Sequence, residues 1–321
     1  MVLWTISAQI NPRTIMTLTE LRYVVAVSQK NHFGKAAQSC FVSQPTLSIA
    51  IKKLEEELDV RLFERSSKNE VRITEIGQQI INQAYIVLQE AQILTEIAQQ
   101  GKDPLSGKFR LGVIYTIGPY LLPSLIPKLN EIAPNLRLII EENFTANLFH
   151  SLKQGALDAI VISLPFEEAG IETAPLYEEP FIVALPRNHE WQDLDQIPPK
   201  DLASQDLMLL GAGHCFRDQV IRACPNCMSG SSELTRTLEG GSLETIRQMV
   251  AAGTGITVLP RTSIIHDQRM NSLIQIKPFK DPSPSRTVAI AWRKHYPRKE
   301  TIHTIRKTIQ SGPLEGVTII N

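Results

Sequence analysis

Apolar positions fall into three rhythms along this chain, and each predicts a different kind of element. From Leu18 to Ser28 they stand at Leu21, Val24, Val25 and Val27, close to a helical period. Asn31-His32-Phe33-Gly34 interrupts that run, a short stretch Lys35 to Cys40 follows, and Ser43-Gln44-Pro45-Thr46-Leu47-Ser48-Ile49 comes next. Ser43 suits a helix N-cap, and Pro45 suits the first turn, where its missing N–H costs nothing. The pattern predicts a helix from there to Leu58, with Leu47, Ile51, Leu54 and Leu58 on one face. Three helices joined by two short turns within about 45 residues outline a helix-turn-helix.

Arg61 to Arg72 reads as extended chain, with Leu62 and Phe63, a polar tip Arg65 to Asn69, then Val71 and Ile73. This predicts a two-stranded wing. Thr74 then caps a long helix whose Ile76, Ile80, Ala84, Val87, Ala91, Leu94 and Ala98 are spaced by three or four residues. Such a seam, held over several turns, predicts pairing with a second copy. Gly101-Lys102-Asp103-Pro104 ends it and marks a domain boundary.

The third rhythm is short buried runs alternating with helical stretches. Strands are predicted at Phe109 to Ile114, Leu136 to Glu141, Ala159 to Ser163, Phe181 to Leu185, Leu207 to Leu210, Ile256 to Leu259 and Val288 to Trp292. Helices are predicted at Pro119 to Ile132 and Leu148 to Gln154. The alternation predicts open α/β sheets, which take ligands at strand ends or between lobes.

Composition narrows this picture. The 321 residues exceed one ordinary core, and 33 Lys and Arg balance 33 Asp and Glu. No global field therefore attracts nucleic acid, so DNA binding would rest on local charge. No run is apolar enough for a membrane span, and the first 15 residues lack the pattern of a secretory signal. Met16 is the expected start of the folded chain, with 1–15 an unstructured extension. A cytoplasmic location follows, where Cys40, Cys215, Cys224 and Cys227 are not a disulfide scaffold. Cys40 reads as a buried apolar filler. Cys224 and Cys227 have no second ligand pair nearby at zinc spacing, so neither a metal nor a cofactor is expected.

Ala36-Ala37, Ser43 to Ser48, Leu54-Glu55, Leu62-Phe63-Glu64-Arg65, Thr74-Glu75 and Gly77 together resemble the winged helix-turn-helix of LysR-type transcription regulators. Ser242-Leu243-Glu244-Thr245, Val250 to Gly253 and Gly255 to Pro260 resemble the regulatory part of the same family. Gly213 to Gln219 with Cys224, and Thr116 to Pro123, are similar to its peroxide-sensing branch. The resemblance implies a multi-domain chain. An all-α winged helix-turn-helix (16–73) and a linker or dimerisation helix (74–102) precede an α/β regulatory domain (103–312). That domain would have two Rossmann-like, periplasmic-binding-protein-like lobes, lobe I at about 103–177 and 282–312 and lobe II at about 178–281. It further implies a homotetramer acting on double-stranded DNA and RNA polymerase, no enzymatic role, and activation by an intramolecular disulfide.

On the DNA side, Gln44, Pro45, Thr46 and Ser48 would begin the recognition helix, where Gln44 suits adenine and the hydroxyls suit bases or phosphates. Lys52, Lys53, Arg65 and Lys68 would face phosphates. Between 16 and 72, nine basic residues stand against seven acidic ones, so charge alone says little.

On the redox side, Cys215 would start a helix reaching Ala223, and a helix N-terminus with Arg217 nearby favours the thiolate that attacks peroxide. The resulting sulfenic acid condenses with a second thiol. By the resemblance that thiol is Cys224; Cys227 is an alternative, and Pro225 places Cys224 at a helix end or loop. On a continuous helix Cys215 and Cys224 would stand about 13 Å apart, whereas a disulfide needs Cα atoms within about 7 Å. Bond formation would therefore require refolding. The resemblance also points to a peroxide pocket of Thr116, Thr145, His214, Arg217, Asp218 and Arg286, with Asp218 helping reactivity, although Thr145 equally suits a cap and Arg286 a surface cation. Two other readings remain open: a regulator of this family answering a small molecule between the lobes, and a thiol peroxidase.

Overall fold

The computed structural model describes residues 16–65, 71–100, 103–224, 241–264, 273–312 and 314–320. The expected N-terminal extension, Lys68 and Cys227 lie outside them. Two compact units divide at Gln99 and Gln100.

In the first unit, α1 (Leu18–Lys30) begins with a capping box in which Thr17 and Glu20 satisfy each other's backbone N–H groups. α2 (Phe33–Ser39) and α3 (Gln44–Leu58) follow, and Ser43 caps α3 by accepting from the Thr46 N–H. Leu21, Val24, Ala36, Leu47, Ile51 and Leu54 bury a common core. The wing is shorter than expected: β1 (Phe63–Arg65) pairs antiparallel with β2 (Val71–Ile73). Glu55 ties α3 to it by accepting from the Leu62 and Phe63 N–H groups at 2.7 and 3.2 Å. Thr74 caps α4 (Glu75–Gln100) through the Gly77 N–H.

The seam on α4 divides in two. Ala84 is buried in the core of this unit beside Ile81, and Ile80 and Val87 pack against it. Ile76 and Leu94 instead stay exposed. The stretch of the periodic face from Ile80 to Val87 is thus spent within the chain. Cys40, expected to be buried, is only half-buried because it caps the end of α2.

The second unit holds a nine-stranded sheet among the described residues. Parallel strands β3 (Gly107–Ile114), β4 (Leu136–Asn143) and β5 (Ala159–Ser163) alternate with α5 (Gly118–Ile132) and α6 (Thr145–Lys153). β6 (Ile171–Pro186) is one long strand where only its second half was expected. Pro175, Pro180 and three glutamates hide the first half from any apolar rhythm. β7 (Leu207–Met208), α7 (Cys215–Ala223), α8 (Leu243–Ala251), β8 (Ile256–Pro260) and β9 (Ile274–Pro278) follow. β10 (Ser285–Arg293) and α9 (Lys299–Gln310) come next, and β11 (Thr318–Ile319) pairs with β6, past the expected end at 312.

Two hydrophobic cores form on this sheet. One gathers β3, β5, α5, α6, α9 and the first half of β6, with Phe109, Leu121, Leu148, Ile160, Tyr177 and Ile305 fully buried. The other gathers the second half of β6 with α7, α8 and β8, around Phe181, Val183, Phe216, Val220, Ile246 and Val258. β6 runs through both, and β10 lies antiparallel to its first half. The carboxyl ends of β3, β4 and β5 therefore face the helices of the second core.

Candidate functional site

Two loops and one helix start converge on a small cavity. Its wall is made by Tyr115 and Thr116 after β3, Asn143, Phe144 and Thr145 between β4 and α6, and Gly213, His214 and Cys215 at the start of α7. About 10 Å³ of free space remains inside, close to what one water-sized molecule occupies. Cys215 is the first residue of α7 and is half-buried. Thr145 does not cap α6: Phe144 is the cap residue, and the Thr145 Oγ1 is buried without a partner. A buried hydroxyl left unpaired at a cavity wall is a ready donor for a small polar guest.

His214, the cap residue of α7, is 9% exposed. Its burial pushes the imidazole pKa below the ordinary 6.5, which favours the neutral ring. That ring packs on Phe144 with centroids 4.7 Å apart, and Tyr115 packs on both. Gly213 has φ near +94° and runs against the Phe144 ring, a conformation that glycine adopts without strain.

Arg286 is not a surface cation. Its side chain is fully buried on β10, directly opposite Glu179 on β6. Arg286 Nε donates to Glu179 Oε2 at 2.7 Å. The guanidinium also donates to the Thr116 Oγ1 at 2.9 Å and to the Thr116 carbonyl at 2.8 Å. The other Glu179 oxygen accepts from the Thr262 N–H at 2.8 Å. Arg286 thus reaches the cavity through Thr116 rather than lining it.

Arg217 lies apart from the cavity wall, against the expectation: Nη1 donates to the Leu210 carbonyl at 2.9 Å. The cause is helical geometry, since two residues turn a side chain about 200° away from Cys215. Asp218, one residue further, is exposed on the first turn. Cys224 caps the other end of α7, is 1% exposed and belongs to the second core. Both thiols are free.

α7 is bound to the rest of the site midway along it, where Gln219 Nε2 donates to the Ser163 Oγ at 2.7 Å and joins α7 to the end of β5. A separate bond joins α5 to α8, where the Tyr120 hydroxyl donates to Glu244 at 2.8 Å. Beside the last turn of α7 a wider groove of about 620 Å³ opens between Gln219, Arg222, Pro165, Phe166 and Ser285. The sequence reading missed Phe144, Tyr115, Glu179 and Ser163. Only strand pairing brings Glu179 beside Arg286, and no local pattern announces it.

On the DNA-binding unit, Gln44, Pro45, Thr46 and Ser48 occupy the first turns of α3, with Thr46 Oγ1 and Ser43 Oγ 2.7 Å apart. Lys52 pairs loosely with Glu56 on an exposed face. Lys53 is held by Glu20 at 3.1 Å and by Glu57 at 3.4 Å, so its charge is already partnered. Arg65 closes β1, but its side chain lies outside the described residues. Ile49, on α3, is 68% exposed and offers an apolar contact that the sequence reading left out. Among the described residues no helix is long and apolar enough to cross a membrane, and no three His, Cys, Asp or Glu side chains gather as metal ligands.

The fold and this site define a two-part regulator, a helix-turn-helix head and an α/β domain with a free thiol at a small cavity. Residues 18–78 match the family of bacterial regulatory helix-turn-helix proteins of the LysR type, and residues 102–312 match the LysR substrate binding domain. The chain belongs to the LysR family. It is 38% identical over 296 residues to the DNA-binding transcriptional dual regulator OxyR of Escherichia coli (strain K12), covering 92% of this chain and 95% of that one. Among solved structures, a full-length OxyR of Pseudomonas aeruginosa with a cysteine-to-aspartate change is 48% identical, with a TM-score of 0.76. That match covers 93% of this chain and 99% of the other. A hydrogen-peroxide-bound cysteine-to-serine mutant of Corynebacterium glutamicum OxyR is 32% identical, with a TM-score of 0.62, covering 92% and 91%.

Proposed function

We propose that this chain is a redox-responsive transcription regulator that senses hydrogen peroxide through Cys215 and resolves the oxidised sulfur with Cys224. The observation that carries the reading is one helix with a free thiol at each end. Cys215 opens onto a water-sized cavity, and Cys224 is sealed in the neighbouring core. The Cys215 thiolate attacks one peroxide oxygen. An S–O bond forms, the O–O bond breaks, and the departing hydroxide takes a proton to leave as water. Sulfur is oxidised by two electrons and peroxide is reduced. Attack by Cys224 then forms the S–S bond and expels the sulfenic oxygen as a second water.

Thr116, Thr145 and His214 supply donors and acceptors to the peroxide, and Arg286 holds Thr116 in place. Asp218 and Arg217 bear on the movement of α7 rather than on the peroxide. Cys227 competes with Cys224 for the resolving role. The two lobes follow the two cores, with 103–177 and 282–312 in one and 178–281 in the other. Gln44, Pro45, Thr46 and Ser48 read bases in the major groove, while Lys52, Lys53, Arg65 and Lys68 meet phosphates. The protein acts in the cytoplasm without enzymatic turnover. It dimerises through α4, assembles as a tetramer, and passes its state to RNA polymerase.

The test is a thiol titration with mass-spectrometric mapping. One equivalent of peroxide should consume two thiols and yield a Cys215 disulfide, and Cys215→Ser should abolish the response. Retention of both thiols would overturn the proposal. A second reading draws on the 620 Å³ groove: a metabolite-responsive regulator with structural cysteines. It requires DNA footprints that shift with a small ligand and ignore peroxide.

A further inference from the structure

The cavity beside Cys215 has a cover as well as a floor. His214, Phe144 and Tyr115 form a closed triangle of rings, with centroid separations of 4.7, 5.4 and 6.1 Å; Phe144 meets both partners edge to face, and Tyr115 is tilted on His214. Their exposure is graded, since His214 is buried, Phe144 half-buried and Tyr115 40% exposed. Tyr115 is therefore the outermost ring. Gly213 lies against the Phe144 ring, where an added Cβ would touch it at 3.4 Å. Edge-to-face rings resist displacement because each has the others as partners.

We propose that Phe144 and Tyr115, seated on His214, form a size gate that admits hydrogen peroxide to Cys215 and excludes alkyl hydroperoxides. The inference rests on the peroxide-sensing reading above and adds the determinant of its substrate. Sulfur oxidation requires in-line approach to a peroxide oxygen, and the reacting O–O bond must enter the cavity. A hydrogen peroxide molecule carries only a second hydroxyl behind the attacked oxygen. An alkyl hydroperoxide carries a branched or aromatic group there, which meets the rings. The chemistry itself is indifferent to that group: the S–O bond forms, the O–O bond breaks, and the leaving alkoxide takes a proton to become an alcohol. Selectivity is left to the wall.

The experiment uses the full-length reduced protein and measures second-order loss of the Cys215 thiol with hydrogen peroxide, tert-butyl hydroperoxide and cumene hydroperoxide. The wild-type chain should react much faster with hydrogen peroxide than with either alkyl reagent. In Phe144→Ala the ratio of alkyl to hydrogen peroxide rates should rise by about tenfold or more, the scale on which a pocket discriminates groups by size. Tyr115→Ala should raise it less for tert-butyl than for the longer cumyl reagent, and Tyr115→Phe should leave it at the wild-type value. Thermal melts confirm that each variant is folded, and Phe144→Leu carries the test if Phe144→Ala is not. An unchanged ratio in folded variants that still react with hydrogen peroxide overturns the gate alone. Loss of reaction with every peroxide in the wild-type chain overturns the gate together with the reading beneath it.

Discussion

Cys215 opens α7 and Cys224 caps it, so the two free thiols stand at opposite ends of one nine-residue helix. A rise of 1.5 Å per residue separates their Cα atoms by about 13 Å, and a disulfide tolerates about 7 Å at most. Cys224 must also leave a core in which it is 1% exposed. Disulfide formation therefore dismantles part of α7. Hydrogen exchange should show the α7 amides protected in the reduced protein and open in the oxidised one. Cys224→Ser should stop one step earlier, with a sulfenic acid at Cys215 that dimedone traps. Equal protection of α7 in both redox states would remove the switch.

The same helix is restrained at its middle by Gln219, whose Nε2 donates to Ser163 while its Oε1 stays buried and unpaired. Ser163→Ala would leave the amide donor without a partner, a cost of about 1–3 kcal/mol to the reduced state. Because α7 must be released for the thiols to meet, that cost is recovered when the disulfide closes. The variant should lower the urea midpoint of the reduced protein and speed loss of the second thiol. Gln219→Met, which removes donor and orphan acceptor together, should cost less. A slower second step in Ser163→Ala would show that this bond does not restrain the switch.

Arg286 and Glu179 are an ion pair with no solvent exposure. Removing one member strands the other, so Arg286→Met should cost about 3–5 kcal/mol. It also frees Thr116, which takes two of the guanidinium's hydrogen bonds. The double change Arg286→Met with Glu179→Gln should recover a sizeable part of the stability but not the rate of Cys215 oxidation. Denaturant titration separates the two effects: equal costs for the single and double changes would mean that the buried charge is not the source.

How much of this was legible depended on the range of the interaction. Ser43, Pro45, Thr74 and the face Leu47, Ile51, Leu54 act within a turn or two, and their neighbours in sequence reveal them. The α/β alternation was legible for the same reason, since each strand is a short apolar run. The first half of β6 was not, because prolines and glutamates break its pattern and its partner β10 lies over a hundred residues away. Arg286 shows the same limit: nothing near it in sequence distinguishes a surface cation from a buried one, and its burial follows from Glu179 across the strand pair. Arg217 was misplaced by counting residues along the chain when the helix turns the side chain away.

His214 gives the site a pH signature. Burial holds its folded pKa below 6.5, whereas the unfolded ring titrates near that ordinary value. Below pH 6.5 the unfolded chain binds the extra proton first, so stability falls as pH drops and levels off below the folded value. His214→Phe removes that dependence while keeping a ring against Phe144. Melting temperatures of the reduced protein between about pH 5 and pH 8 should therefore converge for variant and wild type at the alkaline end and diverge at the acidic end. Parallel curves would assign the acid sensitivity to other groups.

Leu94 is 70% exposed on α4, and Ile76 on the same periodic face is 44% exposed, while Ala84 between them is spent on the core of its own unit. An apolar seam left open on a 26-residue helix is the surface a second copy would cover. In a two-fold dimer each substitution acts twice, and burying one leucine is worth about 1.5–3 kcal/mol. Leu94→Glu should thus weaken self-association by more than about tenfold, read by sedimentation equilibrium of the full-length protein. The melting of the DNA-binding unit should hold, because that unit buries Ile81 and Ala84 rather than Leu94. An unchanged sedimentation profile would place the self-association on the regulatory domain instead.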